Sequence, residues 1–117
     1  MRPNLDDLEE TFAALGDRAR LDVIRLLRKK PLRSSDIADA LSLSRPTMSK
    51  HLQVLRKSGL IEETSAGDED ARVRMYQLRA EPFGALRTWL DEVEAFWGEQ
   101  LDGFKAHVEI KYGKRKQ

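Results

Sequence analysis

The sequence predicts a mainly α-helical domain with one small β-hairpin, on the strength of three observations. Apolar residues recur every three or four positions in five separate stretches. Residues suited to starting or stopping helices stand between those stretches. In the second half of the chain, two short strand-like runs flank a polar segment.

Taken in order, Leu5, Leu8, Phe12 and Leu15 mark a first helix, and Gly16 is suited to end it. Asp17 can cap a second helix, whose buried stripe is read as Leu21, Ile24 and Leu27 before Pro31 ends the pattern. That helix also carries Arg18, Arg20, Arg25 and Arg28. Ser34 or Ser35 then caps a short helix with Ile37, Ala38 and Leu41 inward, and Ser42-Leu43-Ser44 makes a compact polar turn. Ser44 caps the next helix, where Pro46 sits in the first turn and its missing N–H does no harm. Met48, Leu52 and Leu55 bury one side of it, and Ser58-Gly59 closes it. Two capped helices joined by so short a turn form a helix-turn-helix.

Leu60 to Thr64 and Val73 to Leu78 read as the strands of a hairpin, or wing, around the polar segment Ser65 to Arg72. After Pro82 comes the longest periodic stretch, in which Phe83, Leu86, Leu90, Val93, Trp97, Leu101 and Phe104 step by three or four and Trp89 and Phe96 widen the stripe. The expected organisation is one winged helix-turn-helix domain over residues 1–109 and a basic tail over 110–117.

Composition narrows the function. The 117 residues include no cysteine, which excludes disulfides, thiolate metal sites and a cysteine nucleophile. No apolar run approaches the roughly 20 residues needed to span a bilayer, and residues 1–10 are polar and acidic rather than signal-like, so a cytoplasmic location away from membranes is expected. The net charge of +1 hides an uneven distribution: Arg18 to Lys57 holds 11 Lys/Arg against 3 Asp/Glu, and Ser58 to Glu109 holds 5 against 12. A basic block in an otherwise acidic chain points to an anionic partner at one face.

On a helical wheel at about 100° per residue, Pro46, Ser49, Lys50, Gln53 and Lys57 fall opposite the apolar side of the Arg45 to Lys57 helix. That strip carries what a major-groove helix requires: an amide that can pair with adenine, a hydroxyl, and cations for guanine or the backbone. Arg45, Thr47 and Arg56 flank it, and unpaired N–H groups at the helix start favour a phosphate near Ser44, Arg45 and Thr47. Arg33, Ser34 and Ser35 sit where the first helix of the motif would touch the DNA backbone. Arg72 and Arg74 share one face of a strand, whereas the wing tip Gly67-Asp68-Glu69-Asp70 would be repelled by phosphate.

Two runs of residues, Leu15-Gly16-Asp17-Arg18-Ala19-Arg20-Leu21 and Ser44-Arg45-Pro46-Thr47-Met48-Ser49-Lys50-His51-Leu52-Gln53-Val54-Leu55, give the chain a recognisable signature. With Gly59-Leu60 following, the sequence resembles the ArsR family of winged-helix repressors from about Leu5 to about Phe104. The resemblance implies a homodimer, joined largely through the first and last helices, that occupies a palindromic operator on double-stranded DNA and leaves it on signal. One metal site of the family places cysteines near the start of the helix before the recognition helix, where this chain has Leu32-Arg33-Ser34-Ser35-Asp36. Another uses His and carboxylates on the last helix, where this chain offers Asp91, Glu94, Asp102, His107 and Glu109. One histidine among scattered carboxylates is poor transition-metal chemistry, so neither a metal nor another cofactor is expected. His107 is read as an exposed residue beyond the last helix, and His51, which matches the family motif, as structural or DNA-proximal rather than catalytic.

The aromatic content of the last helix supports a dimer on physical grounds. Trp89, Leu90, Val93, Phe96, Trp97 and Phe104 exceed what one edge of a small domain takes up, and aromatic residues are favoured at such interfaces. Leu5, Leu8 and Phe12 of the first helix are their expected companions, and an apolar groove there could also admit a small-molecule effector. An enzyme would need a nucleophile-base pair, a metal cluster or a phosphate-cradling glycine loop, and the sequence contains none of these patterns. The competing function is a winged-helix module for protein interaction with little DNA specificity.

Overall fold

A computed structural model describes residues 5–65 and 74–112, except for the side chains of residue 99 and residues 101–112. The elements run α1 (Leu5–Leu15), α2 (Arg18–Leu27), β1 (Leu32–Arg33), α3 (Ser34–Leu41), α4 (Arg45–Lys57), β2 (Ile61–Thr64), β3 (Met75–Leu78) and α5 (Ala80–Tyr112). The core is built from Ala14, Val23, Leu27, Ile37, Ala38, Met48, Leu52, Leu55, Leu60 and Ile61, so every element from α1 to β2 except β1 contributes a buried side chain.

Asp17 caps α2 as expected, its carboxylate accepting from the N–H groups of Ala19 at 2.8 Å and Arg20 at 3.2 Å. The inward stripe of α2 has a different phase from the one read in the sequence. Val23 and Leu27 are buried with Ile24 packed beside them, while Leu21 is 42% exposed. Arg20 completes the inward row at helical spacing because its guanidinium is used internally: Nε donates to the Ala14 carbonyl at 2.6 Å and satisfies the end of α1.

The two-residue strand β1 was not anticipated. It pairs antiparallel with β3, Leu32 opposite Tyr76 and Arg33 opposite Met75, and makes β3 the centre of a three-stranded sheet ordered β1-β3-β2. Its presence also corrects the start of α3. Arg33 holds the cap position in extended backbone and provides no side-chain cap, so Ser34 and Ser35 lie inside the helix. At the other end of α3, Ser42 adopts φ 56°, which lets the Leu43 N–H reach the Ala38 carbonyl at 3.0 Å and turns the chain toward α4. Gly59, with φ 76°, makes the equivalent turn after α4, where such a conformation costs a glycine little.

Further corrections concern the last helix and the first. Pro82 falls within the first turn of α5 rather than before it, where it disrupts no helical hydrogen bond. The helix extends to Tyr112, so His107 is part of it and does not lie beyond it. Leu8 is 4% exposed within a single chain, turned into the protomer rather than outward with Leu5 and Phe12.

Candidate nucleic-acid interface

The helix-turn-helix is α3, the turn Ser42-Leu43-Ser44, and α4. Met48, Leu52 and Leu55 are 0–2% exposed, which fixes the rotation of α4 against the core. That rotation leaves Arg45, Pro46, Thr47, Ser49, Lys50, Gln53, Arg56 and Lys57 exposed. Ser44 caps the helix by accepting from the Thr47 N–H at 3.3 Å while its hydroxyl meets Thr47 Oγ1 at 2.9 Å. The Met48 N–H is taken by the Ser44 carbonyl at 2.9 Å, and Pro46 has no N–H. The helix start therefore keeps only the Arg45 N–H for an anion, fewer donors than the sequence suggested.

The pairing of β1 with β3 brings the backbone-contact candidates to the base of the wing. Arg33 lies opposite Met75 and so beside exposed Arg74, next to the first turn of α3 with half-buried Ser34 and Ser35. Arg33 Nε reaches Asp36 at 3.2 Å. Arg72 and the acidic stretch Gly67 to Asp70 lie outside the described residues.

Two features of this region escaped sequence reasoning. Glu63 on β2 receives Arg56 Nη1 at 2.9 Å and Arg74 Nη1 at 2.6 Å, one arginine from α4 and one from the wing. The Arg74 hydrogen bond, with the nearby Arg56 charge, holds the Glu63 carboxyl below its ordinary range, and burial together with Glu63 pushes the Tyr76 phenol up. The second feature is Arg20, whose Nη1 lies 3.4 Å from His51 Nδ1 and whose Nη2 reaches the Ala13 carbonyl at 3.4 Å. It ties the end of α1 to the middle of α4 and gives His51 a structural neighbour. The inward spacing of Arg20, Val23, Ile24 and Leu27 was the available signal for Arg20; the sequence carried none for Glu63.

Away from the outward face of α4, helices α1 and α5 meet through an edge-on contact of Phe12 with Trp89, centroids 5.2 Å apart. Around it, Leu5 is 72% exposed, Leu90 49%, Phe96 63% and Trp97 54%. Val93 and Trp89 are half-buried, and the Phe104 side chain lies outside the described residues. Leu5, Leu8, Glu9, Phe12 and Trp89 line an open recess of about 370 Å³. Asp91 and Glu94 are exposed, and the side chains of Asp102, His107 and Glu109 lie outside the described set. Among the described residues, no helix is long and apolar enough to cross a membrane.

A short helix, a tight turn, an outward polar helix and a strand pair define the winged helix-turn-helix fold of DNA-binding regulators. The chain belongs to the arsR family of bacterial regulatory proteins and is a transcriptional regulator, with the family model matching residues 17–63. The HTH-type transcriptional regulator Rv2034 of Mycobacterium tuberculosis is 35% identical over 96 residues, covering 82% of this chain and 83% of that protein. A crystal structure of the ArsR family transcriptional regulator RHA00566 superposes with a TM-score of 0.71 at 31% identity, over 84% of this chain and 97% of the other. Mb0332 of Mycobacterium bovis, described as a homodimeric winged helix-turn-helix DNA-binding domain, shares the fold with a TM-score of 0.60 at 23% identity, over 80% of this chain and 85% of that one.

Proposed function

We propose that this regulator is a cytoplasmic homodimeric repressor that binds a palindromic operator through α4 and the wing. One observation carries the proposal: the buried stripe of α4 points its cationic, amide and hydroxyl side chains outward together, directly after a helix and turn of the right length. Lys50 and Gln53 read bases, Ser49 adds a hydroxyl, and Arg33, Ser34, Ser35, Arg45, Thr47, Arg72 and Arg74 hold the backbone. The exposed strip of Leu5, Phe12, Leu90, Phe96 and Trp97 supports a two-fold partner, since apolar surface of this kind is favoured at interfaces between subunits. The recess beside Phe12 and Trp89 is where a small apolar effector would be sought. Membership of a family of regulators favours DNA binding over the protein-interaction alternative and over catalysis.

Selection of bound duplexes from a random library at near-physiological salt tests the proposal. An enriched inverted repeat, with half-sites about one helical turn apart and affinity falling steeply with salt, is the expected result. Failure to enrich any sequence would shift the function toward protein partners.

A further inference from the structure

The two arginines bridged by Glu63 come from the two elements assigned to DNA. Arg56 lies on the last turn of α4, and Arg74 immediately precedes β3. Their side chains are 51% and 71% exposed, while that of Glu63 is 21% exposed, so the carboxylate sits behind two outward-facing guanidinium groups. The cross-strand pairing of Glu63 with Tyr76 anchors it there. Each arginine commits one Nη1 group to the bridge, and a guanidinium has five N–H donors in all. Without the carboxylate, two like charges would face each other across the seam between helix and wing.

We propose that Glu63 is a specificity-determining positioning residue: it locks Arg56 of α4 and Arg74 of the wing into one unit and cancels one of their two charges. The inference rests on the assignment of α4 and the wing to DNA. Sequence-blind affinity for a duplex comes from phosphate neutralisation, and base readout comes from fixed geometry. Glu63 acts on both, holding down the first and fixing the second. Its carboxyl, kept below the ordinary range by Arg74 and Arg56, stays charged at neutral pH.

The test compares wild-type protein with Glu63→Gln and Glu63→Asp on two duplexes of equal length, the selected operator and a scrambled sequence, across a salt series. Glu63→Gln should bind the scrambled duplex about threefold tighter or more at low salt, with a salt slope steeper by about one, and should lower the operator-to-scrambled ratio by a similar factor. Glu63→Asp, which keeps the charge, should restore most of that ratio. Arg74→Ala examines the bridge from its other end: in that background, adding Glu63→Gln should change the ratio far less than it does in wild-type protein. An unchanged ratio in Glu63→Gln, or an equal loss on both duplexes that Glu63→Asp shares, would overturn the inference. A wild-type protein with no preference between the duplexes would instead bring down the DNA assignment itself, and with it any discrimination for Glu63 to set.

Discussion

Helices α4 and α5 are both amphipathic in sequence, yet they differ in what they leave exposed. The apolar stripe of α4 is taken up by its own protomer, with Met48, Leu52 and Leu55 at 0–2% exposure, and apart from Pro46 and Val54 what remains outside is charged or polar. In contrast, α5 leaves Leu90, Phe96 and Trp97 about half exposed or more after the protomer has folded, with Leu5 and Phe12 of α1 alongside. Water satisfies the first kind of surface and not the second. Under the proposed function the contrast separates two tasks: α4 offers polar groups to DNA, whereas the exposed apolar side chains of α5 suit a second subunit.

The largest effect that would break this contrast is in the core. Leu55→Ala should cost roughly 2–5 kcal/mol of stability, read as a lower denaturant midpoint at fixed protein concentration, because a cavity would open beneath α4. An unchanged midpoint would mean that the inner face of α4 is not packed as described. Next is Trp97→Glu, which should convert dimer to monomer in sedimentation while leaving the helical content in place. Operator affinity should fall roughly 100-fold or more as the two half-sites lose their linkage. If that variant still sediments as a dimer, the α5 surface is not the interface.

A smaller effect is expected at the start of α4. Ser44→Ala should cost about 1 kcal/mol by freeing the Thr47 N–H, measurable by the same denaturant titration. The smallest is at Asp17, whose carboxyl is held below its ordinary range, chiefly by the hydrogen bond from the Arg20 N–H. A depressed folded value means that the stabilisation is present above the ordinary carboxylate range and is lost as pH falls through the folded value. The melting temperature of Asp17→Asn should therefore decline less than that of wild-type protein on acidification from pH 7, and parallel curves would contradict the cap assignment.

Most of the fold could be read from the sequence because local chemistry and tertiary packing agree there. The Asp17 and Ser44 caps, the Met48, Leu52 and Leu55 stripe, and the turn at Gly59 each follow from side chains close in sequence. The errors arose where distant groups decide the outcome. Arg20 resembles a surface residue until the free carbonyls at the end of α1 are brought to it, and Leu21 then takes the outer position. Strand β1 is two residues long and exists only because β3 returns beside it, and that pairing is what displaces Ser34 and Ser35 from the cap. At the candidate site, the outward face of α4 was evident from periodicity, while Glu63 could be found only once β2, β3 and α4 were in place.

The most direct test of α4 as the reading helix is to measure the affinities of wild-type protein, Gln53→Ala and Lys50→Ala for the selected operator and for each of its single-base variants. Each alanine substitution should cost about 1 to 3 kcal/mol on the operator and flatten the response at one or two positions in each half-site. A uniform loss across all the duplexes, with every positional preference intact, would contradict the assignment of Lys50 and Gln53 to the bases.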